Sequence, residues 1–389
     1  MRVLFVSNGH GEATIAGSIA GEVGKIVSAQ CDHLAIVGVA TDPAMRDVGP
    51  RRIMPSGGLV AMGSVRNVAR DLGAGLMGLT FAQRKFLRSI RGQYDIVVAV
   101  GDAFALIMAF IARAPTVFVG TAKSVHVAPY GPMERRILRK AQMVFVRDAA
   151  TAQRLRETGI AAESPGNVIV DLFAAAPDLR ECEQASEGFD PLVAIFPGSR
   201  ETAYGDAVFL CAVVTALAPE PDLRSLGALL SLSPSLDVSR FAGELQRAGL
   251  DVAPSLQPLV PFVVRSNGRD VIRAWKGSIG ATIARATVVL GQAGTANEAA
   301  AAGGVPVVAF EPASEKKQNW YRKRQAGLLG EALLIAQRDV EPAARSVRDI
   351  LADGERRAKM AAAGKARMGG PGGARAIAER IAGLAGGLR

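Results

Sequence analysis

Short runs of β-branched and other apolar residues alternate with longer alanine- and arginine-rich stretches along the first half of the chain. Runs that are apolar at successive positions indicate strands buried on both faces of a sheet. Strands that helices separate then predict a parallel, doubly wound sheet with helices on both faces. We interpret five runs as strands: "VLFVS" (3–7), "HLAIVGVA" (33–40), "YDIVVAVG" (94–101), "PTVFVG" (115–120) and "MVFVRD" (143–148).

A second set of strands of the same kind follows an acidic, turn-rich stretch near 175–190. Its runs are "LVAIFPGSR" (192–200), "LGALLSLSP" (226–234), "PFVVRS" (261–266), "ATVVLGQAG" (286–294) and "VPVVAF" (305–310). A length of 389 residues also fits two domains better than one. We therefore predict an α/β domain over 1–175, a linker, a second α/β domain over 190–365, and a C-terminal helix over 366–389 that packs back on the first.

The charge and composition of the chain narrow the function classes. A formal net charge of +10 favours anionic partners, namely nucleic acid, acidic lipid surfaces or phosphorylated substrates. Aromatic residues make up only 5% of the chain and do not interleave with the basic clusters, which argues against nucleic acid. We expect a cytoplasmic protein, because no signal peptide and no apolar run of membrane-spanning length is present.

Metal and cofactor chemistry is disfavoured by the spacing of the ligand-type residues. The three histidines are scattered, the three cysteines are far apart, and no D-x-D triplet occurs. The dinucleotide pattern G-x-G-x-x-G is absent after the first strand, and so is the P-loop pattern. We expect no metal and no cofactor, and we expect the cysteines to be reduced and buried.

Two strand ends of the first half carry candidate catalytic residues, and ligands of open parallel sheets bind at that edge. The stretch "SNGHGEAT" brackets His10 with two glycines at the start of a helix. "VVAVGDAFAL" places Asp102 at another strand end. An aspartate that orients an imidazole makes it a general base near neutral pH. The alternative is that His10 is a polar turn residue and Asp102 a helix N-cap.

Two strand–loop–helix junctions of the second half predict a site for a nucleotide diphosphate. In "FPGSRET", Gly198, Ser199 and Arg200 offer backbone donors, a hydroxyl and a guanidinium. In "VLGQAGTANEAAAAGGVPVV", glycines free the backbone, Thr295 can cap the helix, and Glu298 falls where it can reach ribose hydroxyls. The alternative is that both junctions are ordinary turns whose glycines serve packing.

These motifs resemble those of a known family. "PGSR" followed by "GQAGTANEAAAAGGVPVV" resembles the donor-domain motifs of lipid A disaccharide synthase, a glycosyltransferase of the GT-B fold. "GHGEATIAG" resembles its first loop, and "VGDA" a strand end with a catalytic aspartate. "EKKQNWYRKRQAG" is similar to the glutamine-rich loop of the lipid II N-acetylglucosaminyltransferase. His10 and Asn167 depart from the synthase pattern, so the lipid A disaccharide synthase-related group, with a different acceptor, fits better.

The resemblance implies two doubly wound domains facing a cleft and an inverting, metal-independent transfer from a UDP-sugar. The acceptor side would use Asn8 and Glu12, with His10 and Asp102 as the catalytic pair. On the donor side, Arg200 would hold the diphosphate, Glu298 the ribose, and Gln318 the sugar or phosphate. The loop residues implied to complete the donor site are Gly198, Ser199, Gly294, Thr295 and Asn297.

Basic and apolar residues alternate in "RNVARDLGAGLMGLTFAQRKFLRSIRG" (66–92), and "MERRILRK" (133–140) is a second basic cluster. Such helices can lie on anionic bilayers, although a core helix with a solvated arginine face is the alternative. We therefore expect a glycosyltransferase that acts on a lipid-linked acceptor at the cytoplasmic membrane face. A nucleotide-sugar epimerase and a catalytically silent scaffold are the rival hypotheses, and the oligomeric state is open.

Overall fold

A computed structural model describes residues 1–37, 42–52, 75–311 and 320–387, with side chains except those of His10, Trp320, Tyr321 and 385–387. The chain divides into two compact units, Met1–Leu172 with Gly369–Arg389, and Phe173–Met368. We refer to them as the first and the second unit.

The strands and helices are numbered in chain order over the described residues. The strands are β1 (Arg2–Ser7), β2 (Gln30–Ala35), β3 (Arg46–Asp47), β4 (Ile96–Gly101), β5 (Thr116–Gly120), β6 (Met143–Val146), β7 (Ala162–Glu163), β8 (Leu192–Phe196), β9 (Gly227–Ser231), β10 (Asp251–Pro254), β11 (Phe262–Ser266), β12 (Arg269–Trp275), β13 (Val288–Gly291), β14 (Val307–Glu311) and β15 (Leu333–Gln337). The helices are α1 (His10–Ile26), α2 (Leu76–Ser89), α3 (Ala103–Ala109), α4 (Pro132–Leu138), α5 (Ala149–Arg156), α6 (Val168–Ala174), α7 (Leu179–Ala185), α8 (Ala203–Leu217), α9 (Val238–Arg247), α10 (Ile279–Arg285), α11 (Thr295–Ala302), α12 (Trp320–Leu329), α13 (Val340–Ala352), α14 (Gly354–Met368) and α15 (Gly373–Gly387).

The first unit is built on one parallel sheet with the strand order β3-β2-β1-β4-β5-β6-β7. Its inner strand β1 is buried on both faces, as the continuous apolar run predicts. Leu4 and Val6 pack into a core with residues of α2 and α3, while Val3 and Phe5 pack with residues of α1 and α15 on the opposite face. The C-terminal helix α15 lies against α1 within this unit.

The second unit is built on an eight-stranded sheet with the order β10-β11-β12-β9-β8-β13-β14-β15. Neighbouring strands pair in parallel from β12 through β9, β8, β13 and β14 to β15. At the other side of the sheet, β10 pairs antiparallel with β11, and β11 pairs antiparallel with β12. The predicted class of two doubly wound α/β domains is therefore confirmed, with an antiparallel ribbon added at one edge.

Most strands that the sequence reading missed are short or lie at sheet edges; the exception is β12, which has seven residues and lies between β11 and β9. β3 and β7 have only two residues each, too few for a periodic signal. β10 has no buried residue, since it is the last strand of its sheet. The predicted linker near 175–190 is not structureless, because it contains α7, whose Cys182 and Ala185 are buried in a core cluster of the second unit.

Three further observations concern metal ligands, the cysteines and membrane-spanning helices. Among the described residues, no three His, Cys, Asp or Glu side chains lie close enough to hold a metal ion. Cys31, Cys182 and Cys211 are free and buried, and burial raises the pKa of Cys31 and Cys182 to about 11. Across the described part of the chain, no helix has the length and apolarity needed to span a bilayer.

Candidate functional site

The loop that follows β8 carries the first predicted donor residues. Gly198 has a φ of +111°, in the region that favours glycine, so the turn depends on this residue type. Ser199 and Arg200 are exposed. The carbonyl of Arg200 accepts a hydrogen bond of 2.8 Å from the N–H of Ala203, where α8 begins. Arg200 therefore stands on a turn that the backbone fixes, at the edge of the sheet where the strands end.

The loop after β13 is tied to the end of β8. The N–H groups of Gln292 and Ala293 both donate to the carbonyl of Phe196, at 2.9 and 3.2 Å. β8 and β13 are neighbours in the sheet. The two loops that the sequence singled out therefore leave the same edge of one sheet side by side.

Asn297 is fully buried and shapes the second loop from the inside. Its Nδ2 donates to the carbonyl of Gly291 at 3.1 Å. A Cβ atom at Gly291 would overlap the carboxamide of Asn297, so glycine is needed at this strand end. The Asn297 side chain, predicted to bind the donor, thus lies in the interior. Because the whole residue is buried, its predicted direct contact with the donor is not supported, and its role is to shape the loop.

The first turn of α11 presents backbone donors. Its N-cap is Gly294, which has no side chain, and not the predicted Thr295, which is the first residue of the helix; the described residues show no side-chain cap at the N-cap position. In the described structure, the first backbone bond of the helix runs from the N–H of Glu298 to the carbonyl of Gly294 at 3.2 Å. In the described structure, the N–H groups of Thr295, Ala296 and Asn297 have no backbone partner and lie at the positive end of the helix dipole, but only Thr295 is an exposed residue. Such a helix start binds anions such as phosphate.

The remaining donor predictions fall at different places. Thr295 is exposed, and Glu298 is partly exposed in the first turn of the same helix. Glu298 therefore lies within one turn of the amides at the helix start. This position is compatible with its predicted contact with the ribose of a nucleotide whose diphosphate binds those amides. Gln318 lies outside the described residues.

A buried polar network that the sequence reading missed supports the same loop. Arg322 and Gln325 on α12 and Gln292 in the loop are joined by side-chain hydrogen bonds. Gln325 also donates to the carbonyl of Ala293 at 3.0 Å. The stretch "EKKQNWYRKRQAG" drew attention to Gln318, but the buried face of a helix in it was not recognised.

In the first unit, the predicted acceptor residues meet at the ends of β1 and β4. Gly101 ends β4 with a φ of +130°, and a Cβ atom there would overlap Oδ1 of Asn8 and lie 3.2 Å from Cγ of Glu12. Glu12 Oε1 accepts a hydrogen bond of 3.4 Å from Oγ1 of Thr121, which follows β5. The structure therefore brings Asn8 and Glu12 together and adds Thr121, which the sequence reading did not include.

Asp102 serves as the N-cap of α3. Its Oδ1 accepts hydrogen bonds from the N–H groups of Phe104 at 2.9 Å and Ala105 at 3.1 Å. This is the capping role that the sequence left open as the alternative. His10 is the first residue of α1, and its N-cap Gly9 is extended, with a φ of −170°. The side chain of His10 lies outside the described part, so the His10–Asp102 pair stays a prediction.

A Ser–His–Asp arrangement exists beside this edge but is closed to substrates. Ser7 Oγ lies 2.8 Å from Nε2 of His33, and Nδ1 of His33 lies 3.4 Å from Oδ1 of Asp47. Ser7 and His33 are both fully buried, so no substrate reaches the hydroxyl. Burial lowers the pKa of His33, although Asp47 opposes this effect. The group is best understood as a polar part of the core.

The comparisons with known proteins establish the fold. No known protein family and no curated protein matches the sequence. Among solved structures, the chain is similar to UGT2 of Phytolacca americana, with 12% identity, a TM-score of 0.62, and 99% of each chain covered. It is similar to CalG4, the calicheamicin glycosyltransferase, with 16% identity, a TM-score of 0.60, and 99% and 98% covered. It is also similar to the UDP-GlcNAc 2-epimerase of Neisseria meningitidis, with 14% identity, a TM-score of 0.54, and 99% of each chain covered.

At this level of identity the likeness concerns the fold alone. The chain has the glycosyltransferase-like GT-B fold, as the sequence predicted. Nothing in these neighbours points to lipid A disaccharide synthase in particular. The reaction must therefore be argued from the site.

Proposed function

We propose that this protein is an inverting, metal-independent glycosyltransferase that moves a sugar from a UDP-sugar to a lipid-linked acceptor. The observation that carries this proposal is the open start of α11 beside the Arg200 turn, on neighbouring strands of one sheet. Amide donors and a helix dipole on one loop, with a guanidinium on the loop of the neighbouring strand, suit a group with two phosphates. The GT-B neighbours include proteins whose names or ligands contain UDP-sugars, which favours a UDP donor.

On the donor side, the residues of the second unit stabilise the leaving group. Departure of the sugar leaves a new negative charge on the diphosphate of UDP. The amides of α11 and the guanidinium of Arg200 bind that charge most strongly when it has fully developed, which lowers the barrier. Glu298 accepts hydrogen bonds from the ribose hydroxyls, and Gln318 contacts the sugar or phosphate. No metal or other cofactor enters the proposal.

On the acceptor side, a base removes the proton of the attacking hydroxyl. The acceptor oxygen forms a bond to the anomeric carbon from the face opposite UDP, and the bond to the diphosphate oxygen breaks with its electron pair. His10 takes the proton, and Asn8 and Glu12 position the acceptor. Because Oδ1 of Asp102 is occupied by two backbone amides, Oδ2 is the oxygen that would orient His10.

We also propose that the acceptor is reached at the cytoplasmic face of an anionic membrane. Met77 and Phe81 on α2 are 57% and 64% exposed, and they continue along the helix into the exposed cations Arg84, Lys85 and Arg88. Residues four apart lie on one helix face, so apolar and basic groups form one stripe. An apolar strip with a basic border suits insertion between anionic headgroups.

The neighbouring helices extend this surface. α3 contacts both α2 and α4, and it exposes Phe104 and Ile107, each at 44%. On α4, Met133 is 72% exposed and Arg136 is exposed as well. Each of these three helices, which contact one another in turn, thus exposes apolar side chains, and this favours a binding surface over a plain solvated face.

The membrane proposal is tested by sedimentation with phosphatidylglycerol vesicles and with phosphatidylcholine vesicles. The wild-type chain should sediment with the anionic vesicles only. Phe81→Ser combined with Phe104→Ser should abolish sedimentation, whereas Leu256→Ser, which removes a fully exposed leucine of the second unit, should leave it unchanged. Equal sedimentation of all three proteins would contradict the proposed surface.

The donor proposal is tested by calorimetric titration with UDP. Arg200→Gln should weaken UDP binding by about tenfold or more, because it removes a charged fork from the diphosphate. Arg224→Gln removes the same charge from another exposed position of the second unit and should change nothing. Equal affinities for the wild type and Arg200→Gln would overturn the assignment of this loop.

A UDP-sugar epimerase is the second candidate, since solved structures of UDP-GlcNAc 2-epimerases are among the similar chains. The two activities are separated by incubation with UDP-GlcNAc in the absence of any acceptor. An epimerase changes the sugar and keeps it on UDP, whereas a transferase leaves it unaltered and releases UDP only with an acceptor. A scaffold does neither.

The finer placement in the lipid A disaccharide synthase-related group rests on "PGSR" and "GTANE" and remains part of the proposal.

A further inference from the structure

Helix α12 supports the donor loop from the inner side. Gln325 is 4% exposed, and its Nε2 donates to the carbonyls of Ala293 at 3.0 Å and Gly294 at 3.4 Å. Arg322 is 7% exposed and donates to the side-chain oxygens of both Gln325 and Gln292. One guanidinium therefore binds two carboxamide oxygens.

The guanidinium fixes which way these carboxamides point. A guanidinium only donates, so each glutamine must turn its oxygen toward Arg322 and its amino group away. The amino group of Gln292 then donates to the carbonyl of Phe310 at 3.0 Å, at the end of β14. The amino group of Gln325 meets the loop carbonyls. With the opposite orientation, the Gln325 oxygen would face those carbonyls and repel them.

This arrangement decides which backbone groups the loop can offer to a ligand. Carbonyl oxygens carry partial negative charge and would repel a diphosphate, whereas N–H groups attract it. The carbonyls of Ala293 and Gly294 are engaged by Gln325, on the side of α12. The amides of residues 295–297 keep no such partner in the described structure, and Thr295 is the exposed residue among them. The two carbonyls that precede the first turn of α11 are thus engaged, whereas the amide of the exposed Thr295 is not.

We propose that Arg322 and Gln325 are positioning residues that make the 292–297 loop selective for a diphosphate. They touch no ligand themselves and act by holding the loop carbonyls inward. The inference rests on the proposed function in that the natural anion would be the diphosphate of UDP. The anion selectivity itself does not depend on the nucleotide, so inorganic pyrophosphate can probe it alone.

The experiment is calorimetric titration of the full chain with UDP, uridine and pyrophosphate. Gln325→Glu keeps the shape of the side chain but cannot donate to the loop carbonyls, and Arg322→Met removes the group that orients it. Both variants should lose about tenfold or more in affinity for UDP and pyrophosphate, and less than twofold for uridine. Lys323→Gln, which removes one charge from an exposed position of the same helix, should bind all three as the wild type does.

Other outcomes separate the possible failures. Parallel losses for UDP and uridine, together with a lower melting temperature, would show a structural role only and overturn the inference. Unchanged affinity of Gln325→Glu for pyrophosphate would also overturn it. Wild-type binding of pyrophosphate without binding of UDP would instead contradict the proposed function, while the loop's selectivity is judged from the pyrophosphate series. A wild-type chain that binds neither would overturn both.

Discussion

Two helices that follow parallel strands, one in each unit, differ at the N-cap, the residue that precedes the helix. α3 of the first unit begins after Asp102, whose carboxylate accepts hydrogen bonds from two amides of the first turn. α11 of the second unit begins after Gly294, which has no side chain to do so. Both helix starts carry the same partial positive charge. Only the first is met by the side chain of its N-cap residue.

Under the proposed function, equivalent edges of one fold would carry different tasks. At the strand ends of the first unit, the carboxylates of Glu12 and Asp102 already accept hydrogen bonds, from Thr121 and from two backbone amides. Such an edge suits the recognition of hydroxyl groups and the removal of protons. In the second unit, the edge offers amides and Arg200, and therefore suits a leaving anion.

The largest effect is expected from a side chain that caps the start of α11. Gly294→Asp should weaken UDP binding about a hundredfold, because the new carboxylate occupies the first-turn amides and repels the diphosphate. Its free energy of unfolding should change by less than about 0.5 kcal/mol, since aspartate and glycine differ little as N-caps. Titration calorimetry and chemical denaturation measure the two quantities.

Gly294→Asn serves as the control for charge. Asparagine caps a helix as well as aspartate does but carries no charge, so its loss of affinity should be smaller. If Gly294→Asp bound UDP as tightly as the wild type, the start of α11 would not be the diphosphate site.

A smaller effect is expected from removing the side chain that caps α3. Asp102→Ala should lower the free energy of unfolding by about 1 kcal/mol, because two amides lose their cap. Asp102→Asn retains a capping oxygen and should stay close to the wild type in stability. If Asp102 also orients His10, Asp102→Asn should lose turnover despite its stability, and chemical denaturation with a transferase assay separates these roles.

Asp237, which caps α9 in the second unit through the amides of Ser239 and Arg240, provides a matched comparison. Asp237→Ala should cost a similar amount of stability and leave turnover unaffected. Identical behaviour of the two alanine variants in stability and in turnover would reduce Asp102 to a helix cap.

The smallest effect concerns the buried polar group of the first unit. Burial lowers the pKa of His33 below its ordinary value of 6.5. The unfolded chain then binds a proton more readily, so stability falls as the pH drops below about 6.5, by at most about 1.4 kcal/mol per pH unit. Thermal melting between pH 5 and 8 should show this slope, and His33→Gln should reduce it. Identical slopes of stability against pH in the wild type and His33→Gln would contradict the assignment of this pH dependence to His33.

The strand-end loops were predictable from the sequence because their signals are local. Apolar runs followed by glycine and a helical pattern predict the turn at Gly198–Arg200 and a helix that starts near Thr295. The same rules left two readings for Asp102, since an aspartate before a helix is a cap in most proteins. The structure adds the two hydrogen bonds by which Asp102 caps α3. The local sequence could not distinguish this capping role from a catalytic role.

The remaining parts depend on contacts between distant residues. Arg322 and Gln325 support the loop from a helix about thirty positions away, and no spacing rule links them to Ala293. His33 sits inside an apolar strand run, and its partners Ser7 and Asp47 belong to two other strands. Such pairings become visible only when the sheet order is known.

Hydrogen–deuterium exchange of the wild-type chain with and without saturating UDP tests the contrast between the two helix starts most directly. The account predicts that UDP slows exchange in peptides covering 294–298 and leaves peptides covering 102–106 unchanged, because only the first group of amides is open to an anion. Protection of 102–106 without protection of 294–298 would contradict it.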